Sequence, residues 1–347
     1  MEEDIQVLGE NNSDIITYSK SLPVVVSRAC RNNCPYCGFH RKDNLVVPYS
    51  IIKTVKAARM NGVREIYFCA GERPDRFPDV RATLDLWGFD SYVDYLYTMC
   101  ELAFLEGLIP VLNVGFLSLP EMKKMSEIAA LAKIMLDAVD PALMAKIHAD
   151  SPGKSLGLRV KSLVWAGKLN WPVVTGFVVG LGETKKYRKE MLQLIANLHK
   201  EYGHIHEVSL QNFFAYPGLN FKYGKVPAKE EMLKTVDMAL NILPEDIKVT
   251  VPVEFNPEIE DFVKLGIKDL GRVFEAPKVL FPKVNPVNVN DLKLKVTDLG
   301  FDLQQRFPLG FDWIKKGSYS RKLGQIFDAL KYKIKKDEQE KSKGGIR

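Results

Sequence analysis

At 347 residues the chain has room for one large α/β barrel, which absorbs about 250 residues, together with an appendage, so a peptide-sized scaffold is excluded. With 46% hydrophobic and 27% charged residues it can bury a sizeable core, which excludes wholesale disorder. The net charge of +6 invites an acidic partner, but residues 331–347 hold seven positive residues against three negative, so only +2 remains elsewhere and no nucleic-acid surface is expected.

In chain order, Leu22 to Ser27 is a short apolar, β-branched run, as expected of a parallel strand buried on both faces. A helix is expected from Ser50 to Asn61, a second strand from Arg64 to Cys69, and a helix from Tyr92 to Glu106 closed by Gly107. Ile109 to Val114 is the third strand. Ser118-Leu119-Pro120-Glu121 has capping-box spacing and opens another helix. Ala130 to Leu136 is a weaker fourth strand, because Ala and Lys interrupt it. A helix from Leu156 to Ala166 and a strand from Val173 to Val179 follow. Helix Lys186 to Tyr202, strand Glu207 to Asn212, helix Lys229 to Leu243 and strand Lys248 to Val253 complete the alternation.

This alternation predicts right-handed βαβ units and a parallel sheet, either a partial or full barrel or a doubly wound open sheet. Beyond Glu258 the pattern breaks at Pro277, Pro282, Pro286 and Pro308. The expected domains are an N-terminal segment (1–17), a barrel (18–257), a C-terminal extension (258–330) and a basic flexible tail (331–347). The first twenty residues carry Glu2, Glu3 and Asp4 and no long apolar run, which predicts neither a signal peptide nor a membrane span.

Five cysteines, three of them within eight residues, do not make a disulfide framework and point to a reducing, cytoplasmic setting. Cys30-x-x-x-Cys34-x-x-Cys37 directly follows the first strand. Three thiolates on one loop can hold three irons of a cubane and leave the fourth open to chemistry. The same loop with His40 as fourth ligand would make a structural zinc site and a binding module. Cys69 and Cys100 read as buried thiols, and His199, His204 and His206 as capping and packing groups.

The cysteine spacing resembles that of the radical S-adenosylmethionine (SAM) superfamily, in which the loop follows the first strand of a (β/α) barrel and holds a 4Fe-4S cluster. The resemblance implies further SAM-binding residues at strand ends, and the sequence supplies Gly71 and Glu72, Asn113 and Gly115, Asp137, and Gly180, Gly182 and Glu183. Arg159, on the helix before the fifth strand, matches an arginine that binds the SAM carboxylate, although an exposed helix charge is the plainer reading. In a parallel barrel all these strand ends share one face. His148, in its Pro-Gly loop, and Gln211 with Asn212, suited to a uracil edge, are the candidate substrate residues.

Within the superfamily, Gly71-Glu72-Arg73-Pro74, residues 95–110, His148-x-x-Ser151-Pro152-Gly153-Lys154, residues 176–184 and residues 198–213 are similar to the cyclising subunit of the FO synthase family. That likeness implies ring closure of a tyrosine-derived 4-hydroxybenzyl adduct of a ribitylaminouracil, with loss of ammonia, to a deazaflavin. It also implies a small-molecule substrate supplied by a partner radical SAM enzyme and an external electron donor. An alternative on the same scaffold is another aromatic or heterocyclic substrate. The chain departs from the family pattern at Val251 to Asn256, at Leu270 to Pro277 and at Val287, and Asp137 replaces a longer carboxylate.

Overall fold

A computed structural model describes residues 14–39 and 43–329; the basic tail, most of the N-terminal segment and His40 lie outside these. Strands β1 (Ile15–Ser27), β2 (Glu65–Ala70), β3 (Ile109–Asn113), β4 (Leu131–Lys133), β5 (Val173–Val179), β6 (Ile205–Asn212), β7 (Lys248–Thr250) and β8 (Asp269–Phe274) form a parallel sheet in the order β7-β6-β5-β4-β3-β2-β1-β8. The order never reverses partway, as a doubly wound sheet would, and β8 returns to the free side of β1. No ladder joins β7 to β8 among the described residues, so the barrel is nearly closed. A further strand, β9 (Asp302–Gln305), pairs in parallel with the first residues of β1.

The helices are α1 (Pro48–Met60), α2 (Pro78–Leu86), α3 (Tyr92–Leu105), α4 (Leu119–Ser126), α5 (Pro141–Ile147), α6 (Leu156–Lys168), α7 (Lys185–Tyr202) and α8 (Lys229–Ile242). After β7, β8 and β9 come α9 (Ile259–Leu265), α10 (Val289–Thr297) and α11 (Phe311–Lys316). The capping box at α4 forms as its spacing predicts, with the Ser118 N–H donating to Glu121 Oε2 at 2.7 Å. Along β2 the two faces separate cleanly: Ile66 and Phe68 pack against the helices, while Tyr67 and Cys69 face a second cluster shared with Val111, Leu131 and Val174. That second cluster is the barrel interior, and Leu309 and Trp313 from the C-terminal region reach into it.

β7 ends at Thr250 rather than Val253, β6 begins two residues earlier at Ile205, and α2, α5 and β9 were not expected. In three further strands, polar side chains on the inner face break the apolar runs. β1 begins seven residues earlier than Leu22, because Thr17, Ser19 and Ser21 point at buried carboxylates. β4 stops at Lys133 instead of Leu136, yet the N–H groups of Ile134 and Leu136 still donate to Val174 and Gly176 at 2.8 and 2.9 Å. β8 lies in the stretch read as an extension; its Asp269 and Arg272 also face the interior.

Those inward groups build a charged plug at the N-terminal end of the barrel. Arg272 reaches Glu65 at 2.6 Å and Glu207 at 3.1 Å, Arg306 holds Asp269 at 2.5 Å, and Lys248 lies 3.3 Å from Asp269. Ser19 and Ser21 donate to Glu65, Thr250 to Glu207 and Thr17 to Asp269. Three cations thus meet three anions, with hydroxyls filling carboxylate lone pairs, which is the condition under which buried charge is tolerated.

Candidate active site

The opposite end of the barrel opens into a cavity of about 270 Å³ at the strand C-termini. Cys30, Cys34 and Cys37 line it together. Each sulfur meets a donor: the Glu72 N–H at Cys30 (3.2 Å), the Ser151 hydroxyl beside Cys34 (3.3 Å) and the Phe39 N–H at Cys37 (3.5 Å). Burial pushes the Cys34 thiol up to about 11 and raises Cys37, so these thiols need a bound cation to ionise. Among the described residues no group of three or more His, Cys, Asp and Glu is placed to hold an ion, and His40, the fourth ligand of the zinc alternative, lies outside those residues.

Gly71 explains how β2 meets this loop. A Cβ there would fall 2.1 Å from the Ala29 carbonyl and 2.7 Å from Cys30 Cβ, so only glycine lets the two strand ends touch. Next to it the buried Glu72 accepts from Arg31 Nε at 2.8 Å, from the Phe116 N–H at 2.9 Å and from Arg159 at 3.1 Å. Burial alone would raise its carboxyl, but Arg159, the Phe116 N–H and Arg31 hold it below the usual carboxylate range. Gly153 leaves the space that Glu72 fills; a Cβ there would sit 1.5 Å from Glu72 Oε1.

Asp137 follows β4 with a left-handed backbone (φ 62°), a conformation aspartate accepts more readily than most residues. It pairs with Lys154 at 2.5 Å. Burial would raise Asp137, but Lys154 and then Arg159 keep it ionised. Arg159 is itself buried, not an exposed helix charge, and its Nε has no partner among the described residues. A buried orphan donor of this kind is costly unless a ligand acceptor, such as a carboxylate, completes it.

Asn113, Gly115, Gln211 and Asn212 also line the cavity, together with Lys133, Tyr67, Phe274, Phe281, Phe214 and Tyr216. The Asn212 amide is reciprocally bonded to Asn256 at 2.8 and 3.2 Å, which leaves Gln211 as the free amide. Four expected residues do not reach the cavity. Gly180 makes room for the Lys225 carbonyl, 2.2 Å from a Cβ, and Gly182 for Tyr223. Glu183 is bound to Arg188 at 2.6 Å and to the Gly180 N–H at 2.9 Å. His148 stands behind the cavity wall, where Nε2 meets the Tyr36 hydroxyl at 2.8 Å, and burial pushes it down to about 4, so it is neutral. Lys133, Lys154 and Ser151 were not singled out from the sequence; Lys154 and Ser151 lie in the quoted His148 to Lys154 run, and the interruption of the fourth strand by lysine was the one signal for Lys133.

A family model of the Radical SAM superfamily matches residues 24–195. The chain is 35% identical over 324 residues to the 7,8-didemethyl-8-hydroxy-5-deazariboflavin synthase of Methanosarcina mazei, covering 91% of this chain and 94% of that protein. It is 33% identical to the synthase of the same name from Methanothermobacter thermautotrophicus, over 91% and 98%. Among solved structures, the FeFe-hydrogenase maturase HydG from Carboxydothermus hydrogenoformans superposes with a TM-score of 0.66 at 18% identity, covering 93% of this chain and 76% of that one. Methylornithine synthase (PylB) does so with a TM-score of 0.60 at 13% identity, covering 83% of each; both likenesses bear on the fold alone. No helix among the described residues is long and apolar enough to cross a membrane. The chain belongs to the 7,8-didemethyl-8-hydroxy-5-deazariboflavin synthase family of the radical SAM superfamily.

Proposed function

We propose that the chain closes the deazaflavin ring, converting the 4-hydroxybenzyl adduct of ribitylaminouracil to 7,8-didemethyl-8-hydroxy-5-deazariboflavin with loss of ammonia. The observation that carries this is one cavity in which three thiols, a set of charged groups and an aromatic wall meet, in a chain 35% identical to a synthase of that name. A 4Fe-4S cluster with SAM, when bound, supplies a 5′-deoxyadenosyl radical able to take a hydrogen atom from an unactivated position.

Cys30, Cys34 and Cys37 hold the cluster, and their three hydrogen-bond donors moderate the thiolate charge. Arg159 offers its orphan Nε to the SAM carboxylate. Glu72 and Asp137, kept ionised by their cationic neighbours, accept from the methionyl amine and the ribose hydroxyls, with Asn113 and Gly115 beside them. The apolar wall of Tyr67, Phe214, Phe274 and Phe281 stacks on the substrate rings and keeps water from the radical. His148, neutral, fixes Tyr36 over the cysteine loop. The adduct comes from a partner radical SAM enzyme, electrons from an external donor, and an oxygen-labile cluster would suit a reducing, cytoplasmic compartment.

The test is anaerobic reconstitution with iron and sulfide, reduction, and incubation with SAM and the adduct. Deazaflavin fluorescence with 5′-deoxyadenosine is expected. If 5′-deoxyadenosine accumulates without deazaflavin, the substrate is another heterocycle. If the purified protein carries stoichiometric zinc and no iron, the radical reading fails with it.

A further inference from the structure

Lys133 is the last residue of β4, and its side chain lines the cavity below the charged set assigned to SAM. Register fixes the depth: Lys133 is paired with Val174 on β5, whereas Asp137 bridges to Phe177, three residues nearer the mouth. Among the described residues no hydrogen bond or ion pair engages its amine. Most of the charges facing it are engaged elsewhere. From below, Arg272 on β8 is shared by Glu65 and Glu207. Asp137, on its own strand's extension, is taken by Lys154, and Glu254 after β7 accepts the Phe274 N–H at 3.0 Å through Oε1, while its buried Oε2 has no partner among the described residues and burial raises its carboxyl against the opposing pull of Lys133. Cys69 on β2 is a buried thiol pushed up to about 12 by desolvation. Lys133 thus has no ion pair of its own; burial first, and Arg272 second, bring it down to about 8, so it is still mostly protonated near neutrality.

Lys133 is half-buried with its amine facing the cavity, and an acceptor brought by a ligand that displaces water from the cavity would give that ammonium the partner the protein does not supply. Gln211, on β6, lines the same cavity with its amide free. An ammonium supplies donors only, while an amide supplies one donor face and one acceptor. A cyclic imide edge, carbonyl, N–H, carbonyl, is matched by that combination, and a flat ring bearing it can lie against Phe214, Phe274 and Phe281. A phenol offers only one hydroxyl, and ribityl hydroxyls have no reason to seek a charged donor over water.

We propose that Lys133 donates a hydrogen bond to a carbonyl oxygen of the substrate's pyrimidinedione ring, with Gln211 completing recognition of the imide edge, so that Lys133 anchors the heterocycle and leaves the benzyl carbon toward the cysteine loop. This rests on the deazaflavin reading above. Lys133 is a substrate-binding residue and takes no part in SAM cleavage.

The reaction product is fluorescent, so its binding to the reconstituted protein is measured by titration with Lys133→Met and Lys133→Gln, alongside iron content and 5′-deoxyadenosine formation without substrate. Loss of one charged hydrogen bond predicts about ten- to a hundredfold weaker binding for Lys133→Met. A smaller loss is expected for Lys133→Gln, with iron content and SAM cleavage unchanged. In turnover, KM for the adduct rises and more 5′-deoxyadenosine is made per deazaflavin. Product binding equal to wild type in both variants overturns the proposal. So does a loss of binding in both that tracks lost iron and lost fold, because Lys133 is then structural. If wild type itself neither binds the product nor converts the adduct, it is the deazaflavin reading that fails.

Discussion

The two ends of the barrel use the same ingredients, buried arginine, lysine and carboxylate, to opposite effect. At the N-terminal end three cations and three anions are mutually paired and hydroxyls take further carboxylate lone pairs, with Arg272 Nη2 the one donor of the set left over among the described residues. At the C-terminal end pairing is left less complete: among the described residues Arg159 has an orphan Nε, the Lys133 amine has no hydrogen bond or ion pair, and three thiols carry only weak donors. Charge paired within the protein specifies a structure, whereas charge facing a cavity specifies what must bind.

Removing a ligand at the open end should be absolute. Cys34→Ala, the most buried of the three, should abolish SAM cleavage and lower iron content while leaving circular dichroism and the unfolding midpoint near wild type. A large drop in the midpoint would mean the loop also holds the barrel together. At the plugged end the effect should be on stability. Arg272→Met strands two buried carboxylates and should cost about 3–5 kcal/mol in denaturant unfolding. Should it cost less than 1 kcal/mol, the plug is not a closed network. An intermediate case is Lys154→Met, which frees Asp137 to repel other anions and should raise KM for SAM about tenfold, a loss of about 1.4 kcal/mol. No change in KM would place Asp137 outside the SAM site.

The smallest effect is on pH. Burial pushes His204 down to about 4 and His206 well below its ordinary value, with Arg306 and Lys248 adding to the latter. In the unfolded chain each takes up its proton at about pH 6.5. Between about pH 6.5 and 4 the unfolded state therefore binds more protons than the folded one, and stability falls as pH drops through that window. The slope is up to ~1.4 kcal/mol per pH unit for each histidine. Urea unfolding at pH 7 and 5.5 should show it, and the pair His204→Gln and His206→Gln should flatten it; an unchanged slope would mean these imidazoles are not held neutral.

Much of this contrast was legible in the sequence, and unevenly. Strands with uniformly apolar runs, such as Val173 to Val179, were read at their observed bounds, because both faces are buried. β8 was not read as a strand, since Asp269, Gly271 and Arg272 look like loop residues until a plug exists to receive them. The same holds for the site. Cys30, Cys34, Cys37, Glu72 and Asp137 sit where strand order alone puts them, at one mouth. Gly180 and Gly182 had the right strand end but face the 223–225 loop, a direction no spacing encodes. Lys133 weakened the fourth strand as a sequence signal for the same physical reason that makes it interesting: a charge where the barrel interior expects an apolar group.

β1 carries one more consequence. The first strand made is flanked by β2 on one side and, on the other, by β8 and β9, which lie about 250 to 290 residues later, and Arg306 closes the plug only after that. A nascent chain therefore holds one raw edge of β1 unpaired until about 250 further residues have been made, with the cysteine loop already outside. Barrel closure, and a shielded home for an oxygen-labile cluster, wait for β8 and β9, which makes assembly late and dependent on protection of that edge.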